Sequence, residues 1–346
     1  MTSRTRNFVM TSLVVLLGGV GVGLVAYYAG YPMAALPRQS WPDELRLVPR
    51  DATLVAYADV QGVMASDVRQ RIHRVLQLRT DGPRAFEDRT GISIEQDIDH
   101  VVACATPAAV DGQAPESGLV LARGRFDRTK IEALMRQRGA RVASYKGKPL
   151  IVADASVGAR PPNAPGGVAP TARPPFALAF IEPGLAAFGS ASLVREAIDR
   201  NGGGASVTGN QEIMGLVQSL RDGNLWAVGR FDALAARGTL PAVLGGPLPS
   251  ITWFSVSGSF DDSIRGVLTA ETRDAQAATS LRDMARGYLG LLRLGSTSTL
   301  QPGMQTLLDS LELGGTGTTV ALSFEAPATL IDTFGGTATP PTGAAR

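Results

Sequence analysis

The sequence predicts an α+β fold: antiparallel or mixed sheets covered by helices, organised as two related modules and preceded by one transmembrane helix. Three observations carry that expectation. Residues 8–29 read FVMTSLVVLLGGVGVGLVAYYA, without a charge. Beyond residue 51, short apolar runs pair as hairpins with amphipathic helices between them, unlike the strict strand and helix alternation of a parallel doubly wound fold. The strand and helix order of the first half then recurs in the second.

An uncharged helix of that length rises about 1.5 Å per residue and spans about 33 Å, enough to cross a bilayer core. Arg4 and Arg6 precede it, whereas the segment after it sets Arg38 against Asp43 and Glu44. The positive-inside rule then puts residues 1–7 in the cytoplasm, and Tyr27, Tyr28 and Tyr31 mark the outer interface. A cleaved signal peptide has a shorter apolar region and a small-x-small site, neither of which is present, so the segment reads as an uncleaved anchor. Gly19, Gly23, Ala26 and Gly30 share one helix face and are the candidate helix-dimer face; small residues at that spacing let two helices approach closely.

The remainder has the composition of a folded protein: 44% hydrophobic residues, with 33 basic and 31 acidic residues for a net charge of +2. A balanced surface without a basic cluster excludes nucleic acid as a partner. Cys104 is the only cysteine, so no internal disulfide forms. Its run DHVVACATP marks it as a small buried hydrophobe in a strand.

Residues 30–50, with four prolines, form a tether. The first module covers 51–205. It opens with a strand at 53–59 and a helix capped by Ser66 with Val68, Ile72, Val75 and Leu76 inward. A short helix follows at 84–89, then strands at 99–106 and 118–125 and a helix opened by Asp127. A hairpin around Lys146 and Gly147, strands at 176–181 and 184–188, and a helix at 190–200 complete it. Residues 154–175, rich in Pro, Gly and Ala, read as a disordered loop. The stretch NGGGASVTG at 201–209 is the seam. The second module covers 206–334: a helix capped by Asn210, a strand at 224–232, a hairpin of strands 251–260 and 263–272, a long amphipathic helix from Asp274, a helix near 303–312 and a strand at 317–325. Residues 335–346 read as a disordered tail. Segments 118–139 and 266–287 are each a strand followed by a helix, which suggests duplication.

Candidate chemistry is sparse. Gly-Arg-Phe-Asp occurs at 124–127 and 229–232, and residues two apart on a strand share a face, so Arg125 with Asp127 and Arg230 with Asp232 form a repeated strand-end motif. The competing reading makes each arginine a salt-bridge partner and each aspartate a helix cap. His73 and His100, the two histidines, have no ligand at metal spacing. GGTGTT at 314–319 enters a strand rather than a helix and lacks the lysine of a phosphate loop. No G-x-S-x-G elbow occurs. No catalytic residue, cofactor or metal is therefore assigned, and the chain is not expected to be an enzyme. The apolar loop at 239–250 is either a contact patch or buried.

LVPRDATLVAYADV after a single span, GLVLARGRFD, and FIEPGLAAFGSASLVREAID together resemble uncharacterised single-pass envelope proteins of bacteria, a domain-of-unknown-function family. The resemblance implies a bacterial envelope setting and no activity. The expected function is a non-catalytic, membrane-tethered envelope protein that binds a partner protein or an envelope component, in the inner membrane with a periplasmic body, with no cofactor and with the membrane and a homodimer as the other partners considered. The alternatives are an extracytoplasmic membrane-anchored enzyme of unknown reaction, and a membrane signalling or regulatory protein acting through another membrane protein.

Overall fold

The computed structural model describes residues 41–64, 87–88, 90–107, 117–153, 176–220, 223–232, 250–260, 263–295 and 302–328. Twelve strands form one sheet in the order β11-β12-β10-β9-β8-β1-β2-β3-β7-β6-β5-β4. They are β1 (Leu54–Ala58), β2 (Ile98–Thr106), β3 (Ser117–Gly124), β4 (Arg141–Tyr145), β5 (Lys148–Ala153), β6 (Phe176–Glu182), β7 (Leu185–Ser190), β8 (Leu225–Arg230), β9 (Ile251–Phe260), β10 (Ser263–Thr272), β11 (Glu312–Gly314) and β12 (Thr319–Pro327). Every pairing is antiparallel. The helices are α1 (Val60–Met64), α2 (Ile94–Asp97), α3 (Arg128–Gln137), α4 (Ala191–Asn201), α5 (Gln211–Ser219), α6 (Ala275–Gly295) and α7 (Pro302–Asp309).

This corrects the expected fold class. The expected antiparallel or mixed sheets, two related modules and preceding transmembrane helix give way to one twelve-stranded antiparallel sheet, because β1 and β8 pair along Leu54↔Gly229 to Ala58↔Leu225. The segment read as the seam, 201–209, packs against the core: Val207 is fully buried, and Ser206 bridges to Pro49. Residues 8–29, including Gly19, Gly23, Ala26 and Gly30, lie outside the described residues, as do the Ser66 helix, residues 154–175, the tail at 335–346 and the loop at 239–249. Among the described residues no helix is long and apolar enough to cross a membrane. The longest, α6, carries Arg282, Asp283, Arg286 and Arg293 and lies against β10 and β12. The expectations of a preceding transmembrane helix, a signal anchor and a single-pass inner-membrane placement with a periplasmic body are corrected on that finding.

Alternation along the strands explains the layering. Side chains at successive positions point to opposite faces. Val55, Val102, Cys104, Leu119, Leu121, Ala187 and Val228 occupy one face, here face A, and form one core with Leu193, Val194 and Ala197 of α4, Ile213 and Val217 of α5, and Leu45, Leu47 and Val48. Leu45 and Leu47 belong to a 3-10 turn, Asp43–Leu47, laid across that face. On the opposite face, B, Val101, Ala122, Leu178 and Phe188 pack with Ile131 and Met135 of α3. Further along face B, Leu307, Leu308 and Leu311 cover Ala326, Leu322 and Phe324. Each fully buried leucine or isoleucine contributes about 1.5–3 kcal/mol by leaving water.

Local chemistry ends and starts the elements. Asp127 caps α3 by accepting from the Lys130 N–H, and Asn210 caps α5 by accepting from Glu212 and Ile213. Lys146 and Gly147 both have positive φ, 47° and 76°, which suits the two-residue turn between β4 and β5. Gly315 and Gly317 of the GGTGTT stretch also have positive φ and join β11 to β12.

The two halves of the sheet share part of their order. In the first half β1, β2 and β3 form a meander, α3 crosses face B, and β7 returns beside β3. In the second, β8, β9 and β10 form a meander, α6 and α7 cross face B, and β12 returns beside β10. The segments at 118–139 and 266–287 thus occupy equivalent places, strands β3 and β10 with the helices that follow.

Where β3 meets β7 the backbones approach closely. Gly189 has φ +150°, and a Cβ there would lie 2.1 Å from the Gly118 carbonyl oxygen. Gly189→Ala is expected to cost about 1–3 kcal/mol, read as a lowered urea midpoint with an unchanged slope.

Candidate binding face and its charged border

The strand ends on face A hold a buried carboxylate. His100 and Arg123 are register partners on β2 and β3 and share the face of Val102 and Leu121. The 3-10 turn lowers Glu44 between them. Its side chain is 2% exposed, and it accepts from Arg123 Nε at 2.7 Å and from His100 Nε2 at 3.2 Å. A carboxylate only accepts, so this histidine carries a proton on Nε2. Burial alone pushes the Glu44 carboxyl up, but the His100 hydrogen bond and charge, its backbone N–H bond and Arg123 outweigh it and hold the group down at about 2. Arg46, two residues on, donates to Glu182 at 2.5 Å and to Asn201 at 2.8 Å. The lock ties the turn to β2, β3, β6 and α4. As a general base Glu44 is weak, because its pKa lies far below neutrality and donors already occupy it.

Aromatic rings continue the border. Tyr57 stacks on Trp226 with centroids 5.7 Å apart and planes at 22°, and Trp41 meets Trp226 edge-on at 6.5 Å. Tyr57 also lies 5.8 Å from the His100 ring. Burial first, then the Asp59 and Glu44 charges, push the Tyr57 phenol up, so it stays neutral. Asp59 is also raised, chiefly by burial, with the Gly62 N–H and His100 opposing. Cys104 is buried and its thiol is pushed up to about 12 by that burial, which leaves it unreactive.

Beyond this border face A changes character. The row through Tyr57 and Trp226 runs on to Ser257, Val267 and Ser323, and the next row runs from Val55 and Val228 to Ser255, Thr269 and Ala321. In the first half, the equivalent strands β2, β3 and β7 place Val102, Cys104, Leu119, Leu121 and Ala187 on this face beneath α4. In the second half Ser255, Ser257 and Thr269 stand at three of the five corresponding positions, and Val267 and Ala321 keep the other two aliphatic. Ser255 and Ser257 are buried near the border, whereas Ser259, Thr269 and Ser323 are half-exposed. Among the described residues no helix packs on face A of β10 or β12, since α6 and α7 lie on face B. Trp253 stands at the end of β9, half-buried against the face A core.

The repeated strand-end motif is not brought together. Arg125 donates to the Gln96 carbonyl at 2.8 Å and Asp127 caps α3. Arg230 pairs with Asp232 through two hydrogen bonds, and its N–H donates to the Thr53 carbonyl. Gly124 pairs with Ile98, beyond the Ala58 end of β1, whereas Gly229 pairs with Leu54 at the other end. The two motifs therefore lie at opposite ends of the sheet, and on strands that are not counterparts in the duplication.

Sequence reading missed Glu44, His100 and Arg123. Glu44 is 56 residues from His100 and 79 from Arg123, so no spacing motif joins them. The signal was one of register: in DHVVACAT and GLVLARG, a histidine and an arginine occupy positions that otherwise carry core residues.

No family model matches the chain, and no curated protein matches it. A solved structure described as crystal form I of TP0453 aligns with a TM-score of 0.46 at 9% identity, over 85% of this chain and 97% of that one. The likeness is distant and bears on no step of the functional argument.

The lock makes a pH prediction. Glu44 has a folded pKa of about 2 against an ordinary 4.5, so its contribution is fully present above about pH 4.5 and is lost as pH falls toward 2. The contribution is on the order of 3 kcal/mol. Glu44→Gln is expected to remove most of it at pH 7 and to flatten the stability profile between pH 4.5 and 2, measured by urea unfolding. An unchanged acid profile in that variant would refute the lock.

Proposed function

We propose that the chain is a non-catalytic binding protein that holds a partner protein or an envelope component on face A of β9, β10 and β12. One observation carries this reading: equivalent strands of a duplicated plan are apolar and covered in one half, and hydroxyl-bearing without a covering helix among the described residues in the other. A sheet face that only met water would tolerate long charged side chains at any position. Here Ser, Thr, Val and Ala dominate beside a tryptophan, a composition suited to close contact with another surface: rigid aromatic area plus adaptable hydroxyl hydrogen bonds. The charged groups at the border are engaged with one another and hold the sheet's shape rather than awaiting a substrate.

The test places a photo-crosslinking residue at Ser323 on the face and, as a control, at Arg136 on the solvent side of α3. A discrete adduct from Ser323, absent from Arg136 and lost when Thr269→Arg is added, is the expected result. Equal labelling from both positions, or an adduct indifferent to Thr269→Arg, would sink the binding-face reading.

A further inference from the structure

We propose that the outer edge of β4 is a homodimer interface, where a second copy of this chain continues the sheet by antiparallel pairing of β4 with β4. The inference stands apart from the face A reading. The sheet ends in two edge strands, β11 and β4, and the fold treats them differently. At the first edge, β11 pairs with Ala321 to Ser323 of β12. Past its reach the Glu325 N–H donates to Ser310 Oγ at 3.3 Å, and Pro327, on the same side of the strand, has no N–H to offer. At the second edge, no strand among the described residues pairs with the outer side of β4, and Ala143 and Ser144 are exposed.

The hairpin determines which main-chain groups face outward. Lys146 and Gly147 form its two-residue turn, so Tyr145 and Lys148 close it as a hydrogen-bonded pair, and bonding alternates from there along the strands. Ala143 with Leu150 and Arg141 with Val152 are then bonded within the hairpin, whereas Val142 and Ser144 direct N–H and C=O outward. Pro149, which has no N–H, stands opposite Ser144, where the hairpin needs none. A second β4 related by a two-fold axis through Ala143 uses all of these outward groups. Val142 faces Ser144 of the partner subunit and Ser144 faces the partner's Val142, each pair exchanging two main-chain bonds.

The side chains suit the same register. At the axis Ala143 meets Ala143 of the partner subunit in a non-hydrogen-bonded pair, where Cα atoms approach to about 4.5 Å and a methyl group is small enough to sit. Two residues along the same face, Arg141 stands opposite Tyr145 of the partner subunit. Tyr145 donates to Asp199 Oδ2 at 3.0 Å, and Asp199 also holds Lys146 at 2.6 Å with its own side chain 39% exposed. An arginine across from the tyrosine therefore covers an aromatic face and reaches a carboxylate, and symmetry makes the contact twice. A charge on an edge strand ordinarily deters pairing, but in this register it finds its opposite. A foreign peptide would gain the main-chain bonds alone unless it brought an aromatic and an acidic group of its own. The axis stands perpendicular to the sheet, so both copies of face A lie on one side of the joined structure.

Cys104 is buried and is the only cysteine, so a thiol introduced by Ala143→Cys reports alone. In the full chain, kept in mild detergent, that variant is expected to form an intermolecular disulfide on gentle oxidation, because Cα atoms about 4.5 Å apart lie within the range a disulfide spans. Arg136→Cys, on the solvent side of α3, should not. Sedimentation of the native chain should show a concentration-dependent dimer. Ser144→Pro, which removes an outward N–H, and separately Arg141→Glu, which sets like charges together, should each raise its dissociation constant roughly tenfold or more. Arg141→Glu leaves the backbone untouched, so the test survives if Ser144→Pro disturbs the hairpin. A native chain that stays monomeric at submillimolar concentration would overturn the interface. So would a dimer indifferent to both variants, or coupling from Arg136→Cys as fast as from Ala143→Cys.

Discussion

The five-residue ladder between β1 and β8 is the joint on which the rest of the molecule depends. Through it two meanders become one sheet, and the face A core runs from Leu150 on one side to Trp226 and Val228 on the other. Without that pairing, the rows that lead from Tyr57 through Trp226 to Ser257 and Ser323 would not exist. The hydroxyl-bearing face is thus an extension of the covered core, continued past the last helix that packs on this face among the described residues.

The buried Glu44 lock acts at right angles to that joint. Hydrogen bonds along the ladder order strands side by side, but they do not determine where a non-sheet segment crosses the face. A desolvated carboxylate with two specific donors does, because a shift of the turn by one residue would leave Arg123 or His100 facing a partner it cannot use. Ion pairs of this kind add little net stability over a hydrophobic equivalent, so their value lies in setting register. Leu45, Leu47 and Val48 then supply the apolar burial once the turn is correctly seated.

Local features were legible in the sequence, and long-range ones were not. Alternation in the run at 99–106 located β2, and the aspartate and asparagine caps located the starts of α3 and α5, because strand period and capping act within a few residues. The three-residue β11 escaped notice, since so short a run has no period to read. Whether the two halves share one sheet was not legible, for a different reason: β1 and β8 are far apart in sequence, and neither carries a mark that names its partner. The Gly-Arg-Phe-Asp repeat meets the same limit, because identity of four residues says nothing about which end of a sheet they reach. The open face was hidden in plain alternation, for Ser at 255, 257 and 259 reads as an ordinary solvent side until its apolar counterparts in β2 and β3 are set beside it.

The shared sheet also makes each half depend on the other. A half expressed by itself would present β1 or β8 as a bare edge, LVAYA or LWAVGR, uncharged along most of its length and rich in residues that favour strand pairing. Such an edge recruits another copy of itself. In this chain β1 and β8 satisfy each other, so neither strand is left as such an edge.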